Sequence, residues 1–367
     1  MNRDQIFTAS LNYFLLPIRP LLDDHDVTEI LINGPDQVYV ERNGRLELTD
    51  IRFSGEDSLR SAVHNIAQYV GREVDEDRPI LDARLPDGSR VHAILPPGAR
   101  HGLCLSIRKF RRDTLSLHDF LRLESITEEA AEFLDLCVKL RKNILIAGGT
   151  GTGKTTFLNA LSTAIPAEER IVVIEDSSEL RLGQPHTVSL ESQTPDAAGR
   201  GAVTIRQLFV ASLRMRPDRI IVGEVRGGEA LDMVQSMLSG HAGSLTTVHA
   251  SSPRDALVRL ETLSLMSDVD LPVYVARAQA ASAIHLVVQL MRSPQDGRRR
   301  VTHITEQMGL DDQNRYTFRD VFRPEAEPAM RGGWRLSPML EPVSFARELF
   351  EQGLAGLVRV TGPLWGG

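Results

Sequence analysis

The sequence predicts an α/β protein in which a mostly parallel sheet covered by helices ends in a phosphate-binding loop, preceded by a small α+β domain. Three observations carry this expectation. The run Gly148-Gly149-Thr150-Gly151-Thr152-Gly153-Lys154-Thr155 fits the pattern G-x-x-x-x-G-K-[ST], and it lies between a strand-like segment, Ile144 to Ala147, and a helix-like run, Thr155 to Ala164. Apolar strand candidates recur at 144–147, 171–174, 220–223 and 245–248 with helix-like stretches between them, the rhythm of a parallel sheet buried on both faces. Upstream of these, residues 21–110 alternate short strands with a single helix.

Taken in order, residues 1–20 form an amino-terminal segment and residues 21–110 the small domain. A strand over Glu29 to Asn33 is followed by a hairpin, Val38 to Glu41 and Leu46 to Leu48, around Asn43-Gly44. A helix over Glu56 to Val70 and strands over Arg90 to Leu95 and Leu103 to Ile107 complete it. Residues 111–125 read as a linker. Ser125-Ile126-Thr127-Glu128 has the spacing of a capping box and opens a helix whose apolar side carries Phe133, Leu134, Cys137 and Val138. The main domain spans 126–297. A carboxyl-terminal extension, 298–367, holds a strand-like piece over Tyr316 to Phe322, a helix over Ser344 to Gln352, and a Gly/Pro-rich tail from Thr361 expected to be poorly ordered.

With 42% hydrophobic and 25% charged residues among 367, the chain belongs with ordinary globular proteins rather than disordered ones. A formal net charge of −7 argues against a surface that grips nucleic acid along its length, and no direct nucleic-acid contact is expected. The best membrane candidate, Ala280 to Met291, is short and broken by His285 and Gln289, and the first residues lack a basic and then apolar signal, so a cytoplasmic location is expected. Cys104 and Cys137 have no zinc spacing and read as core residues. The basic runs Arg108-Lys109-Phe110-Arg111-Arg112 and Arg298-Arg299-Arg300 read as solvated faces in an arginine-rich chain.

The loop chemistry is specific. Glycines let the backbone take positive φ and turn its N–H groups toward phosphate oxygens, and the following helix adds its positive end. Lys154 is then placed for the β- and γ-phosphates and Thr155 for Mg²⁺, which implies ATP and magnesium as cofactors. Three further groups fall just after strands, where open α/β sheets hold their ligands: Glu175 and Asp176, Glu224, and His249. Glu175, Asp176 and Glu224 are candidate metal-side acids, and His249 a candidate γ-phosphate sensor.

These residues resemble the secretion ATPases shared by type II secretion, type IV pili and type IV secretion. The matching segments are Gly148 to Thr156 (GGTGTGKTT), Ile174 to Leu180 (IEDSSEL), Met215 to Gly227 (MRPDRIIVGEVRG) and Gly240 to Ala250 (GHAGSLTTVHA). Within that superfamily, Asp26 to Leu46, Leu103 to Phe110 and Ser251 to Leu263 look most like ATPases of the tight-adherence (Tad, or Flp) pilus. The resemblance implies a RecA-like ATPase domain behind a small PAS-like domain, assembled as a ring-shaped homo-hexamer that works on an inner-membrane platform protein while peripheral to the membrane. It further implies that Lys154, Thr155 and Thr156 with the loop glycines bind nucleotide, that Glu224 is the glutamate polarising water, Glu175 the acidic-box glutamate and His249 the histidine-box residue, that Arg108 closes over the nucleotide from the small domain, and that Arg214 and Arg216 lie near a subunit boundary. Ala242 and Ser251 depart from the common pattern, and the four-cysteine zinc module of many type II relatives is absent. The alternatives are an equivalent motor for type IV secretion or conjugative transfer, and a non-hydrolysing nucleotide-dependent scaffold.

Overall fold

A computed structural model describes residues 3–42, 44–110, 115–193, 195, 199–294, 296–327 and 333–367. The chain divides into two compact units, Met1–Asp113 with Pro195–Arg200, and Thr114–Thr194 with Gly201–Gly367. Among the described residues no helix is long and apolar enough to cross a membrane.

The first unit contains α1 (Arg3–Phe14), α2 (Arg19–Asp23), β1 (Val27–Asn33), β2 (Val38–Arg42), β3 (Arg45–Leu48), α3 (Glu56–Tyr69), β4 (Ile80–Arg84), β5 (Arg90–Ile94) and β6 (Cys104–Arg108). Its six strands run antiparallel in the order β3-β2-β1-β6-β5-β4. On α3, Leu59, Ala62, Val63 and Ile66 recur at helical spacing and are buried with the inward positions of the sheet, Ile30, Ile32, Val38 and Val91. The sequence reading lacks α1 and β4. Helix α1 nonetheless contributes buried Leu11 to this core, and Asn65 of α3 donates to Ser10 Oγ at 2.8 Å. Asn43 of the predicted turn, and Arg111 and Arg112 of the first basic run, lie outside the described residues.

The second unit opens with α4 (Leu117–Arg122), α5 (Glu128–Lys139), β7 (Ile144–Gly148), α6 (Lys154–Ser162), β8 (Ile171–Glu175), β9 (Thr187–Glu191), α7 (Ile205–Ser212) and β10 (Arg219–Val222). It continues with α8 (Glu229–Leu238), β11 (Leu245–His249), α9 (Pro253–Ser264), α10 (Val273–Ala283), β12 (Leu286–Arg292), β13 (Arg299–Leu310), β14 (Tyr316–Ala326), β15 (Trp334–Pro338) and α11 (Ala346–Glu351). Nine strands make one sheet, β15-β14-β13-β12-β7-β11-β10-β8-β9. The six from β12 to β9 are parallel, and β13 to β15 continue the sheet antiparallel. Both faces are covered: Ile144 and Ile146 pack with α5 and α6, while Leu145 and Ala147 pack with α8 and α9.

Several expectations are corrected here. The segment 115–125 is not a linker: Ser116 and Asp119 form a reciprocal capping box on α4, and buried Phe120 meets Phe157 edge-on at 5.2 Å. The capping box expected at Ser125 does not form. Thr127 is the N-cap of α5, but its hydroxyl donates to the Leu336 carbonyl instead, and the Ser125 carbonyl accepts from Val301 N–H. Residues 298–367 are no separate extension, because β13–β15 hydrogen-bond into the sheet and Phe322, Leu349 and Trp365 belong to its core. The tail is held: Trp365 is 2% exposed, stacks near Phe133 at 5.4 Å, and donates Nε1–H to Thr361. The apolar run 280–291 is the end of α10 and strand β12.

At the entry to β10, Arg219 is fully buried. Its guanidinium pairs with Glu169 and donates to the carbonyls of Val138 and Gly243.

Candidate functional site

Strand β7 ends at Gly148 and α6 begins at Lys154, so the intervening residues must reverse direction in a tight turn. Gly151 (φ 70°) and Gly153 (φ 90°) supply the left-handed conformations this needs. Gly148 is required by space, since a Cβ there would lie 2.5 Å from Thr152 Oγ1 and 2.9 Å from the Leu290 carbonyl oxygen. Thr152 Oγ1 donates to the Gly149 carbonyl at 2.9 Å and braces the curl. The result is a concave backbone leading into the positive end of a nine-residue helix, a geometry suited to phosphate oxygens. Thr150 and Thr156 are exposed and Thr155 half-buried in the first turn of α6.

Parallel pairing brings the carboxyl ends of β8, β10 and β11 to the same edge as this loop. Lys154, 7% exposed, donates Nζ to the Gly149 carbonyl at 3.1 Å and faces His249 Nδ1 at 3.3 Å. His249 Nε2 lies 3.0 Å from Glu224 Oε1. Arg226 then joins Glu224 (2.9 Å) to Asp176 (2.6 Å). Glu175 is buried and its Oε1 accepts the backbone N–H groups of Glu179 and Leu180, so it shapes the turn after β8. Close approach of these strand ends depends on Gly223, where a Cβ would sit 2.9 Å from Glu175 Cγ. Ser251, one of the departures from the common pattern, donates to Asp255, while Ser252 caps α9.

The charges set the protonation states. Burial alone would raise the Glu224 carboxyl, but the hydrogen bond and charge of Arg226, with His249 and Lys154, hold it below its ordinary value. His249 is held below the usual imidazole value by burial and by the Lys154 ammonium, against the opposing pull of Glu224. A neutral ring protonated on Nε2 satisfies both neighbours: Lys154 donates to Nδ1, and Nε2–H donates to Glu224.

The predicted site residues thus fall into three places. Lys154, Glu175, Asp176, Glu224 and His249 share one edge of the second unit. Arg214 and Arg216 are exposed in the segment entering β10, at the opposite end of the parallel strands from the loop. Arg108 belongs to the first unit, 3.8 Å from Glu29. The expected metal set is not gathered into a cage: among the described residues no group of three or more His, Cys, Asp or Glu is arranged to hold an ion.

Sequence reasoning passes over Arg226, Glu229 and Arg299. Arg226 stands two residues after Glu224 in a quoted motif, and Glu229 accepts the Arg226 and Gly227 N–H groups, fixing that loop. The run 298–300 is only partly a solvated face: Arg299 is exposed, Arg298 half-buried and Arg300 buried. Arg299 donates Nε–H to the Gly151 carbonyl at 2.8 Å, Arg300 is 5% exposed, and Arg298 pairs with Glu124.

Residues 15–335 match the type II/IV secretion system protein family. The chain belongs to that family. Its relatives include PtlH of Bordetella pertussis, a type IV secretion system protein 40% identical over 82% of this chain and 96% of its own length. VirB11 of Brucella suis, also a type IV secretion system protein, is 35% identical over 81% and 90%. A Mycobacterium tuberculosis protein provisionally named for conjugal transfer is 38% identical over 78% and 82%. Among solved structures, the Legionella pneumophila ATPase DotB (19% identity, 84% of this chain and 82% of that one, TM-score 0.55) shares the fold. So does the pilus retraction motor PilT with bound ADP (16% identity, 94% and 87%, TM-score 0.54). The fold shared with these structures is α/β with a largely parallel sheet.

Proposed function

We propose that this secretion-family protein hydrolyses ATP and converts turnover into work on a membrane-bound machine. The observation that supports it best is the hydrogen-bonded line Lys154–His249–Glu224 beside the phosphate-binding loop. A carboxylate kept ionised by Arg226, beside a neutral imidazole, is suited to orient a water by accepting its hydrogen bond. Lys154 is positioned for phosphate charge, and the loop N–H groups for phosphate oxygens. Magnesium fits through Thr155, phosphate oxygens and retained waters rather than a protein cage, and when bound it neutralises phosphate charge.

Glu224 is the preferred candidate for the water-polarising acid because it stands beside His249 and Lys154 at the phosphate-binding loop, whereas the Glu175 side chain is buried and its Oε1 shapes the turn after β8. Glu224→Gln should keep nucleotide binding while lowering phosphate release by about 10²–10⁴-fold. Normal turnover in Glu224→Gln with a crippled Glu175→Gln would reverse the two roles.

The ring-shaped homo-hexamer, with Arg108 closing over the nucleotide and Arg214 and Arg216 near a subunit boundary, and the inner-membrane platform as partner rest on the family resemblance. The segments 26–46, 103–110 and 251–263 support Tad/Flp pilus assembly as the machine served. Type IV secretion or conjugative transfer is the second reading, favoured by the names of the relatives at 35–40% identity. Crosslinking in cells decides: capture of a polytopic platform protein, with surface pili lost in a Lys154→Ala strain, supports the first reading. Intact pili with lost substrate or DNA transfer establishes the second.

A further inference from the structure

Three glycines of the phosphate-binding loop lie against one neighbour, the β12–β13 hairpin. A Cβ on Gly148 would stand 2.9 Å from the Leu290 carbonyl oxygen, one on Gly151 3.8 Å from Arg292 Nη1, and one on Gly153 3.2 Å from Arg299 Cδ. Arg292 and Arg299 are cross-strand partners, and just beyond them Ser293 N–H donates to the Arg298 carbonyl at 2.7 Å and closes the hairpin end. Arg298 also pairs with Glu124, just after α4, at 2.6 Å, which ties that end to the body of the unit. From this anchored end Arg299 reaches the loop. Its Cδ lies against Gly153, the N-cap of α6, and its Nε–H donates to the Gly151 carbonyl at 2.8 Å.

Peptide geometry gives that bond a consequence for phosphate. The Gly151 carbonyl and the Thr152 N–H belong to one planar trans peptide and point in opposite directions. Holding the carbonyl on Arg299 therefore fixes the N–H away from Arg299. The hold matters because Gly151, at φ 70°, has no side chain to restrict the turning of this peptide. Thr152 is braced on its other side by its own hydroxyl, which donates to the Gly149 carbonyl. A loop N–H serves an anion best when it is aimed before the anion arrives, since ordering it afterwards costs affinity.

We propose that Arg299 is a positioning residue for a nucleoside di- or triphosphate, acting through the Gly151–Thr152 peptide to preset the Thr152 N–H for a phosphate oxygen. This rests on the nucleotide-binding reading above. It assigns the work to the hydrogen bond from Nε and not to the charge of the guanidinium. The two are separable in one substitution, because the amide nitrogen of a glutamine is bonded to Cδ as Nε is, and carries a donor without a charge.

The test uses the full chain and measures Kd for ADP and for inorganic pyrophosphate by displacement of a fluorescent ADP analogue. Arg299→Met keeps an unbranched stem beside Gly153 and removes the donor; both constants should rise about three- to tenfold, the worth of one hydrogen bond. Arg299→Gln should recover most of that loss. The Arg299→Met factor should also be the same at low salt and at about 0.5 M salt, which screens a charge far more than a hydrogen bond. In turnover the loss should appear in KM for MgATP rather than in kcat. Unchanged constants in Arg299→Met overturn the proposal. So does an Arg299→Gln protein as weak as Arg299→Met, or a penalty that vanishes at high salt, because either marks a charge effect. A fall in the ligand-free thermal midpoint that accounts for the lost affinity would make the role structural and overturn it too. Failure of the wild-type chain to bind ADP would sink the nucleotide reading together with this one. ADP bound equally by wild type and Arg299→Met would sink this one alone, and Arg299-dependent binding without phosphate release would leave it standing and sink hydrolysis.

Discussion

The two sheets of this molecule bury their residues differently. In the first unit the edge strand β3 is exposed at all four positions and β1 alternates. In the second, β7, β8 and β10 are buried at every position. A sheet covered on both faces leaves no side chain along its strands for chemistry, so reactive groups collect where strands stop. Glu175, Glu224 and His249 all sit there, whereas the antiparallel sheet leaves positions along its strands facing outward. The comparison teaches that in the second unit strand ends should govern activity and strand interiors stability.

The largest expected effect tests the first half of that statement. Lys154→Ala should lower ATP hydrolysis by at least about 10²–10³-fold, the scale of losing one preorganised charge donor, while the thermal unfolding midpoint barely moves. A mutant that unfolds instead would merge the two roles. Next, Trp365→Ala should cost about 3–5 kcal/mol in chemical denaturation, because the ring fills the core beside Phe133 and Phe345. No change in midpoint would mean that the tail does not contribute to the covered sheet.

A pH experiment sharpens the same contrast. His285 accepts a hydrogen bond from Asn143 N–H, and burial with the nearby Lys142 charge takes its pKa from 6.5 to about 4. The unfolded chain then binds the proton first. Stability is intact above pH 6.5 and should fall by about 3 kcal/mol as pH drops toward 4, a slope that His285→Gln flattens in urea titrations. The smallest effect belongs to the first unit: Leu48→Ser, on exposed β3, should change stability by no more than about 0.5 kcal/mol. A larger loss would show that this edge is covered in the working assembly.

What the sequence made legible follows the same division. Continuous apolar runs at β7, β8, β10 and β11, and the glycine spacing of the phosphate-binding loop, are local signals, and each landed where the spacing put it. Strand β9 was missed because its burial is partial at every position but one, which is exposed; of the antiparallel wing β13–β15 only part of β14, Tyr316 to Phe322, was read as a strand, because β13 opens on charged Arg299-Arg300 and β15 spans five residues of which only Leu336 is buried. Arg226 and Arg299 were missed for a related reason. An arginine in a motif or a basic run carries no mark of which carboxylate or carbonyl the fold will bring to it.

Arg219 constrains more than its own surroundings. A Cβ on Gly243, itself at φ 88°, would stand 2.1 Å from the Arg219 guanidinium. Any side chain at 243 must displace that group, and displacing it takes from Glu169 the more buried of its two arginine partners, Arg219 and Arg141. The two positions are therefore epistatic: Gly243→Ala should be far worse beside arginine than in an Arg219→Met background. A change at 219 thus removes the clash at 243 but not the cost of a side chain at φ 88°, so glycine stays favoured there in either background.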